Sequence, residues 1–465
     1  MPNMTNQTRI THRAKGGALA IIALAGAACA VRRSPAPQSS TVTSYPPAAP
    51  SSSEWLALLP DGEEKRRFVL DCTGCHQFDQ QNARVDGRPR TRDEWQAAVA
   101  RMMTYAGATT RFPVISAYRN AGATADWLSR HLTAARPPTA RRIARGTVVH
   151  RGAVVEFAMP EPRDLPHDVA VDRAGQVLIT GMMTHRMYVL DPASGRMADV
   201  EIPVEHANPR AVEIDAAGNW WVVLGAPNQV ARREPATRQW RTFDVGMYAH
   251  SVALGPDGRA WTNGHFTRAP ELVASVDATS GNVRKYELPP HPTMAAGPGG
   301  PIPYEIRVAP DGRVWMSELQ GNRIIALTPS SGASTAYDMP TSFSGPRRFD
   351  IDARGMLWIP AYATNELVRF DPAAGSFRRF ALPIPDAVPY VVRIDPGNGT
   401  VWIGTSAADA VLSFDPNTQR FAVYDLPSSG ALVRHLAIDP RTHEVWVAYG
   451  ASPGIAARVA RIRPR

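Results

Sequence analysis

A pattern of about 43 residues recurs seven times along the last two thirds of this chain, and few folds accommodate such a repeat. Each unit opens with a short apolar strand and turns at Asp-x-x-Gly or Pro-Asp-Gly. A second strand, usually carrying Trp, follows; a third ends near Asp-Pro, and a fourth closes on an aromatic-x-Leu/Met-Pro tail. Asp257-Gly258 with Trp261 and Asp311-Gly312 with Trp315 show the turn and second strand, and Trp358, Trp402 and Trp446 mark later units. The tails read Tyr286-Glu-Leu-Pro289, Tyr337-Asp-Met-Pro340, Phe380-Ala-Leu-Pro383 and Tyr424-Asp-Leu-Pro427. Four strands in each of seven units predict an all-β, seven-bladed β-propeller. The last unit runs out near Ile462, and its missing tail stands ahead of the first unit as Val154-Val-Glu-Phe157-Ala-Met-Pro160. That strand is expected to complete the final blade and leave no open edge.

The unit openings are Pro166-His167, Pro209-Arg210, Ala249-His250, Pro303-Tyr304, Pro346-Arg347, Pro389-Tyr390 and Arg434-His435. Their inner ends converge on the channel, so His167, Arg210, His250, Tyr304, Arg347, Tyr390 and His435 are expected to form one polar ring. The arginines suit a carboxylate or phosphate, the tyrosines donate hydrogen bonds, and the histidines move protons or bind a divalent metal in the channel. The competing expectation for any one of the histidines is a residue that only lines the channel. The Pro/Gly-rich stretch Pro289 to Pro303 reads as a loop over one face.

The repeat resembles the streptogramin (virginiamycin B) lyase family, whose blades read P-x-x-I, then P-D-G-x-x-W, then an aromatic-x-x-P tail; the resemblance covers residues 153 to 463. It implies the propeller fold and opening of a cyclic depsipeptide by elimination at an ester. The family's base is a histidine, with one glutamate two places earlier and another after the second strand of that blade helping to hold magnesium. Here His435 matches the base. Val433 stands at the first glutamate's place, the second falls near Tyr449 and Gly450, and Glu318, the only glutamate directly after a second strand, belongs to another blade.

Ahead of the propeller stands Cys72-Thr-Gly-Cys75-His76, the C-x-x-C-H spacing at which two thiols add to haem vinyl groups and the histidine ligates iron. One covalent haem c is therefore expected. A disulfide is the plain alternative, and zinc lacks two further ligands, since the only other cysteine is Cys29. Helices are expected over Glu63 to Leu70, Asp93 to Met103 and Ala123 to Leu132. This small all-α segment is similar to class I cytochrome c domains, a resemblance that implies a methionine as second axial ligand. Trp95, Val99 and Met102 recur on one helical face, making Met102 the first candidate, Met103 the second and His131 a poorer one.

Arg9, Arg13 and Lys15 precede an apolar run from Ala18 to Ala28, which reads as a secretory signal. Ala28-Cys29-Ala30 fits a small-x-small cleavage site, while Leu24 to Cys29 resembles a lipobox that would leave Cys29 as a lipid anchor. Export to a bacterial periplasm is expected, with membrane attachment through that lipid only. The resulting order is a signal over 1–30, a Ser/Pro-rich tether over 31–53, a cytochrome c domain over 54–133, a linker over 134–152 and the propeller over 153–465. The net charge of +9 is spread as single arginines and short pairs, without a basic run interleaved with aromatics, which points away from nucleic acid and toward a redox partner protein or a small polar substrate. The chain has no P-loop, dinucleotide fingerprint, nucleophile elbow or second C-x-x-C-H. Two functions remain: electron transfer coupled to binding or oxidation of a small polar substrate or to a redox partner, and a lyase-like carbon-oxygen lyase or binding module with an accessory haem domain.

Overall fold

A computed structural model describes residues 50–138, 143–150, 153–266, 269–450 and 455–464. The signal, Cys29 and most of the tether lie outside the described residues. Seven antiparallel sheets, each winding outward from an innermost strand, form the propeller; the first six begin at Pro166, Pro209, Ala249, Pro303, Asp350 and Pro389. The seventh is composite. His435–Ile438, Val445–Tyr449 and Arg458–Ile462 supply three strands, and Val154–Ala158 pairs with Arg458–Ile462 as the fourth. Joining the ends of the ring in this way satisfies two strand edges at once.

In blades two and five the turn aspartate reaches the strand tryptophan six residues later. Asp215 accepts a 3.0 Å hydrogen bond from Trp221 Nε1 and Asp352 one of 3.1 Å from Trp358 Nε1, so the turn aspartate fixes the indole that packs between sheets. The same aspartates accept backbone N–H groups within their turns. Trp221, Trp261, Trp315, Trp358, Trp402 and Trp446 are fully buried.

The helical segment contains Glu63–Cys72, Arg92–Ala106 and Ala121–His131. The first runs two residues past its expected end, so Cys72 closes its last turn. Thr91 and Glu94 form a reciprocal capping box on the second, and Asn120 Oδ1 caps the third through Ala123 N–H at 2.9 Å. These helices and the propeller belong to one compact unit and share a core: Phe68, Leu70, Trp95, Val99 and Trp127 lie in the same apolar cluster as Leu319, Tyr362, Tyr390 and Leu432. The stretch between the two parts, expected to be a linker, contributes Val148–His150, which pairs in parallel with the outer strand of blade six.

Candidate functional site

The C-x-x-C-H loop is seated on the propeller at the N-terminal ends of the innermost strands. Thr73 Oγ1 donates to Val69 O at 2.7 Å and is 2.8 Å from Tyr362 OH, and Gln77 Nε2 donates to Asp409 Oδ1 and to Ala431 O at 3.0 and 3.1 Å. Arg434 Nη2 donates to Cys75 O at 2.9 Å. Around this centre, Lys65 Nζ pairs with Asp386 at 2.8 Å, Gln320 Nε2 donates to Asp71 at 2.8 Å, and Arg67 lies over the Phe343 ring. Gly345 has φ +64°, and a Cβ there would collide with Leu70 Cδ2, so the first helix packs directly on blade backbone.

Cys72 and Cys75 are unbridged thiols, half-buried and exposed respectively. Burial pushes the Cys72 thiol up to about 12 against the opposing charge of Arg119. His76 Nδ1 lies 2.9 Å from Gln77 O, a contact that holds the Nδ1–H tautomer and leaves Nε2 to accept or ligate. Met103 packs against the shared core, as does Cys72, and Met102 is half-buried beside it. His131 lies edge-on to Trp127, with centroids 5.8 Å apart. The buried Trp55 Nε1 and Trp95 Nε1 have no hydrogen-bond partner. Two free thiols, a histidine with its outer nitrogen uncommitted, adjacent methionines and orphaned indole donors suit covalent haem.

Beneath the loop the channel is lined in two tiers. Strand register defines them: Val169, Val212, Val252, Ile306, Val392 and Leu436 each pair with the middle residue of the next strand. Two residues earlier in each blade lie His167, Arg210, His250, Tyr304, Tyr390 and Arg434, with Arg347 completing the ring from blade five. Blade seven therefore corrects the sequence reading. Its opening is Val433-Arg434-His435-Leu436, so Arg434 takes the ring position and His435 lies one residue deeper.

The upper ring is a contiguous buried cluster. The His167 and His250 rings are 5.4 Å apart, His250 and Tyr304 4.6 Å, and Tyr304 OH is hydrogen-bonded to Tyr390 OH. Arg347 Nη1 donates to Tyr304 OH at 2.7 Å, and its guanidinium lies 3.9 Å from the Tyr362 centroid and 4.4 Å from that of Tyr390. His265, not singled out from sequence, stacks 4.3 Å from His250. Burial lowers His167 to about 4 and His250 and His265 well below the usual imidazole range, so all three are neutral at pH 7.

The lower tier holds charges that the sequence reading passed over. Asp168 pairs with Arg348 at 2.9 Å; Glu305 pairs with Arg307 at 3.0 Å and with Arg393 at 3.1 Å; Arg307 also meets Glu213 at 2.9 Å. His435 sits among them. Its Nδ1 accepts from Val169 N–H at 3.3 Å, its Nε2 is 2.7 Å from Arg393 Nη2, and burial holds it well below the usual range. It also borders a 320 Å³ cleft at the opposite end of the channel, lined by Glu213, Arg307, Asp350 and Arg393. The signal for this tier was the residue directly after each opening pair, charged in Asp168, Glu305 and Arg348.

The Pro289 to Pro303 loop lies to the side of the ring. Arg323 Nη2 donates to Pro289 O at 2.7 Å, Glu271 Oε1 accepts from Ile302 N–H at 3.2 Å, and Gly299 O meets Ala117 N–H of the helical segment. The C-x-x-C-H loop, and not this one, faces the ring. Among the described residues no group of three or more His, Cys, Asp or Glu is placed to hold a metal ion.

Fold and channel together define a seven-bladed propeller whose polar axis is capped by a helical segment carrying a C-x-x-C-H motif. Residues 296–461 match the model of the Virginiamycin B lyase family. A solved streptogramin B lyase shares the fold with TM-score 0.58 and 18% identity over 67% of this chain and 97% of that one. A catalytically inactive virginiamycin B lyase from Staphylococcus aureus, solved with quinupristin, gives 0.59 and 20% over 67% and 99%. Kuenenia stuttgartiensis hydrazine synthase gives 0.53 and 15% over 66% and 97%. No curated protein matches the chain in sequence.

Proposed function

We propose that this chain is a lyase-like propeller used as a binding module, with haem c as an accessory electron-transfer group at the channel mouth. The observation that carries this reading is the seating of the Cys72–His76 loop on the channel ring through Thr73–Tyr362, Gln77–Asp409 and Arg434–Cys75. Cys72 and Cys75 would hold the haem, His76 Nε2 would ligate iron, and Met102, with Met103 as alternate, would supply the opposite ligand. Met102 takes precedence because it recurs on one helical face with the buried Trp95 and Val99. When bound, the haem supplies one-electron transfer.

The residues of this chain do the rest. The Gln77 carbonyl orients His76, Gln77 and Arg434 fix the loop against blades six and seven, and the buried ring selects what lies beneath it. The electron partner is a redox protein or a small polar substrate, and export with a Cys29 anchor would place the pair at a periplasmic membrane surface. The test is a haemochrome assay on protein matured in a host that attaches haem c, read together with binding of candidate substrates.

The match over residues 296–461 favours a second reading, a carbon-oxygen lyase with His435 as base. His435 Nδ1 accepts from Val169 N–H, its Nε2 lies between Arg393 Nη2 and Asp168 Oδ2, and apolar Val433 stands two places before it, which leaves that base engaged by the channel's own groups. Elimination at the ester of a streptogramin B lactone would yield a product of unchanged mass and altered chromatographic retention. Its formation would establish the lyase, and its absence with active controls would leave the binding module.

A further inference from the structure

Two carboxyls from adjacent blades meet beside the Pro289 to Pro303 loop. Glu271 stands directly before Leu272–Val276, the third strand of blade three, and Glu318 ends Val314–Glu318, the second strand of blade four; they are 5% and 0% exposed. Among the described residues Arg323, itself buried, is the only cation ion-paired to either acid. Its Nε and Nη2 donate to Glu318, while Nη2 and Nη1 also donate to Pro289 O and Pro290 O at 2.7 and 3.3 Å. Glu271 Oε1 accepts from Ile302 N–H at 3.2 Å, and the two carboxyls are hydrogen-bonded to each other. A bond of that kind requires one carboxyl to keep its proton. Both ends of the loop depend on this cluster, Pro289 and Pro290 through Arg323 and Ile302 through Glu271.

We propose that Glu271 and Glu318 form a proton-operated clasp on this loop, closed while they share one proton and released when that proton leaves. With the proton, the two acids and Arg323 sum to zero charge; without it, a net negative charge is buried between blades three and four. Burial and the neighbouring Glu318 charge push Glu271 up to about 8, against Ile302 N–H and Arg323. Burial also raises Glu318, against Arg323, His291 and Glu271. His291 belongs to the loop: its Nδ1 accepts from Thr293 and Met294 N–H at 3.2 and 3.1 Å, so Nε2 carries the hydrogen donated to Gly321 O at 3.0 Å. Gly321 leaves room for the pair, since a Cβ there would collide with Glu318 Oε2. The loop also borders a cleft of about 670 Å³ between the helical segment and blade four, where His291, Thr293 and Met294 face Glu64, Asp71 and Arg119. Release is expected to widen that cleft. The clasp requires no haem.

An acid raised in the closed state holds its proton more tightly there than in the released state, so closure is most favoured at low pH. Opening is expected to grow by up to about tenfold per pH unit from the free carboxyl value near 4 to about 8, and to level off above it. Amide hydrogen exchange of the full chain, corrected for intrinsic rates and followed over residues 289–303, reads this opening from about pH 5 to about pH 9. Glu271→Gln keeps a neutral hydrogen-bonding side chain at the site and is expected to hold the loop closed with a flat profile. In infrared difference spectra, wild-type protein at pH 7 is expected to show the carbonyl band of a protonated glutamic acid, absent from Glu271→Gln. Should that variant not fold, the two wild-type profiles decide the matter: the carbonyl band must fade through the same pH at which loop exchange levels off. Loop exchange independent of pH, an equal dependence in Glu271→Gln, or no protonated carboxyl at pH 7 overturns the proposal.

Discussion

Gln77 Nε2 and Asp409 Oδ1 meet at 3.0 Å, joining the residue after the motif histidine to a buried carboxyl of blade six. Burial raises Asp409 to about 6, although its bonds to Gln77 and to backbone N–H groups oppose the shift. An acid whose folded pKa is raised binds its proton more tightly when folded than when unfolded. Its contribution to stability is thus complete below the unfolded value near 4 and is lost as pH rises through about 6. The seating of the helical segment is expected to weaken over that window. Asp409→Asn should flatten this component in thermal melts between pH 4 and 7; an unchanged profile would show that Asp409 does not control it.

Gly345→Ala is expected to cost about 1–3 kcal/mol, because it combines a left-handed backbone position with a clash against Leu70. The loss should appear first as increased hydrogen exchange in Glu63–Cys72, with the propeller core protected. Uniform exchange loss across all seven blades would contradict this local effect.

Trp358 is 1% exposed, is fixed by Asp352, and packs on Phe380 and on Phe414 of the next blade. Trp358→Ala should destabilise the protein by about 3–5 kcal/mol, measured by denaturant unfolding. Asp352→Ala, which removes the Nε1 partner and leaves the indole in place, should cost less, about 1–3 kcal/mol. An equal or larger loss for Asp352→Ala would mean that the turn stabilises the blade more than inter-blade packing does.

The propeller was legible because its determinants recur. In blades two and five a turn aspartate and a strand tryptophan six residues later satisfy one another locally, and the turn-then-tryptophan order recurs in other blades, so the period survives in the residues themselves. Six of the seven upper-ring positions follow from the opening dipeptides. Blade seven misleads because Val433 replaces the proline that marks the register in five of the other six blades and because His435 attracts attention away from Arg434. The lower tier was overlooked since a charge inside a strand ordinarily means a solvated face, and only closure of the ring turns Asp168, Glu305, Arg348 and Arg393 inward. The C-x-x-C-H spacing is local and visible, whereas its seating on Tyr362, Asp409 and Arg434 joins residues roughly 290 to 360 positions apart and leaves no periodic trace. Val148–His150 is three residues long, too short for any pattern to declare a strand.

Met102→Ala is expected to abolish the weak far-red absorption that accompanies methionine ligation of ferric haem, with Met103→Ala leaving it in place. The reverse pattern would assign the ligand to Met103, and loss in neither would move the ligand off this helix.

The most direct measurement is a haemochrome assay on denatured, solvent-extracted protein matured in a haem-c-competent host. One covalently retained haem per chain is expected, lost in Cys72→Ser/Cys75→Ser. His76→Ala should retain the covalent haem with an altered ligation spectrum. A mature, folded wild-type chain with no covalently retained haem would contradict the central claim and leave a lyase-like propeller capped by a helical segment of other purpose.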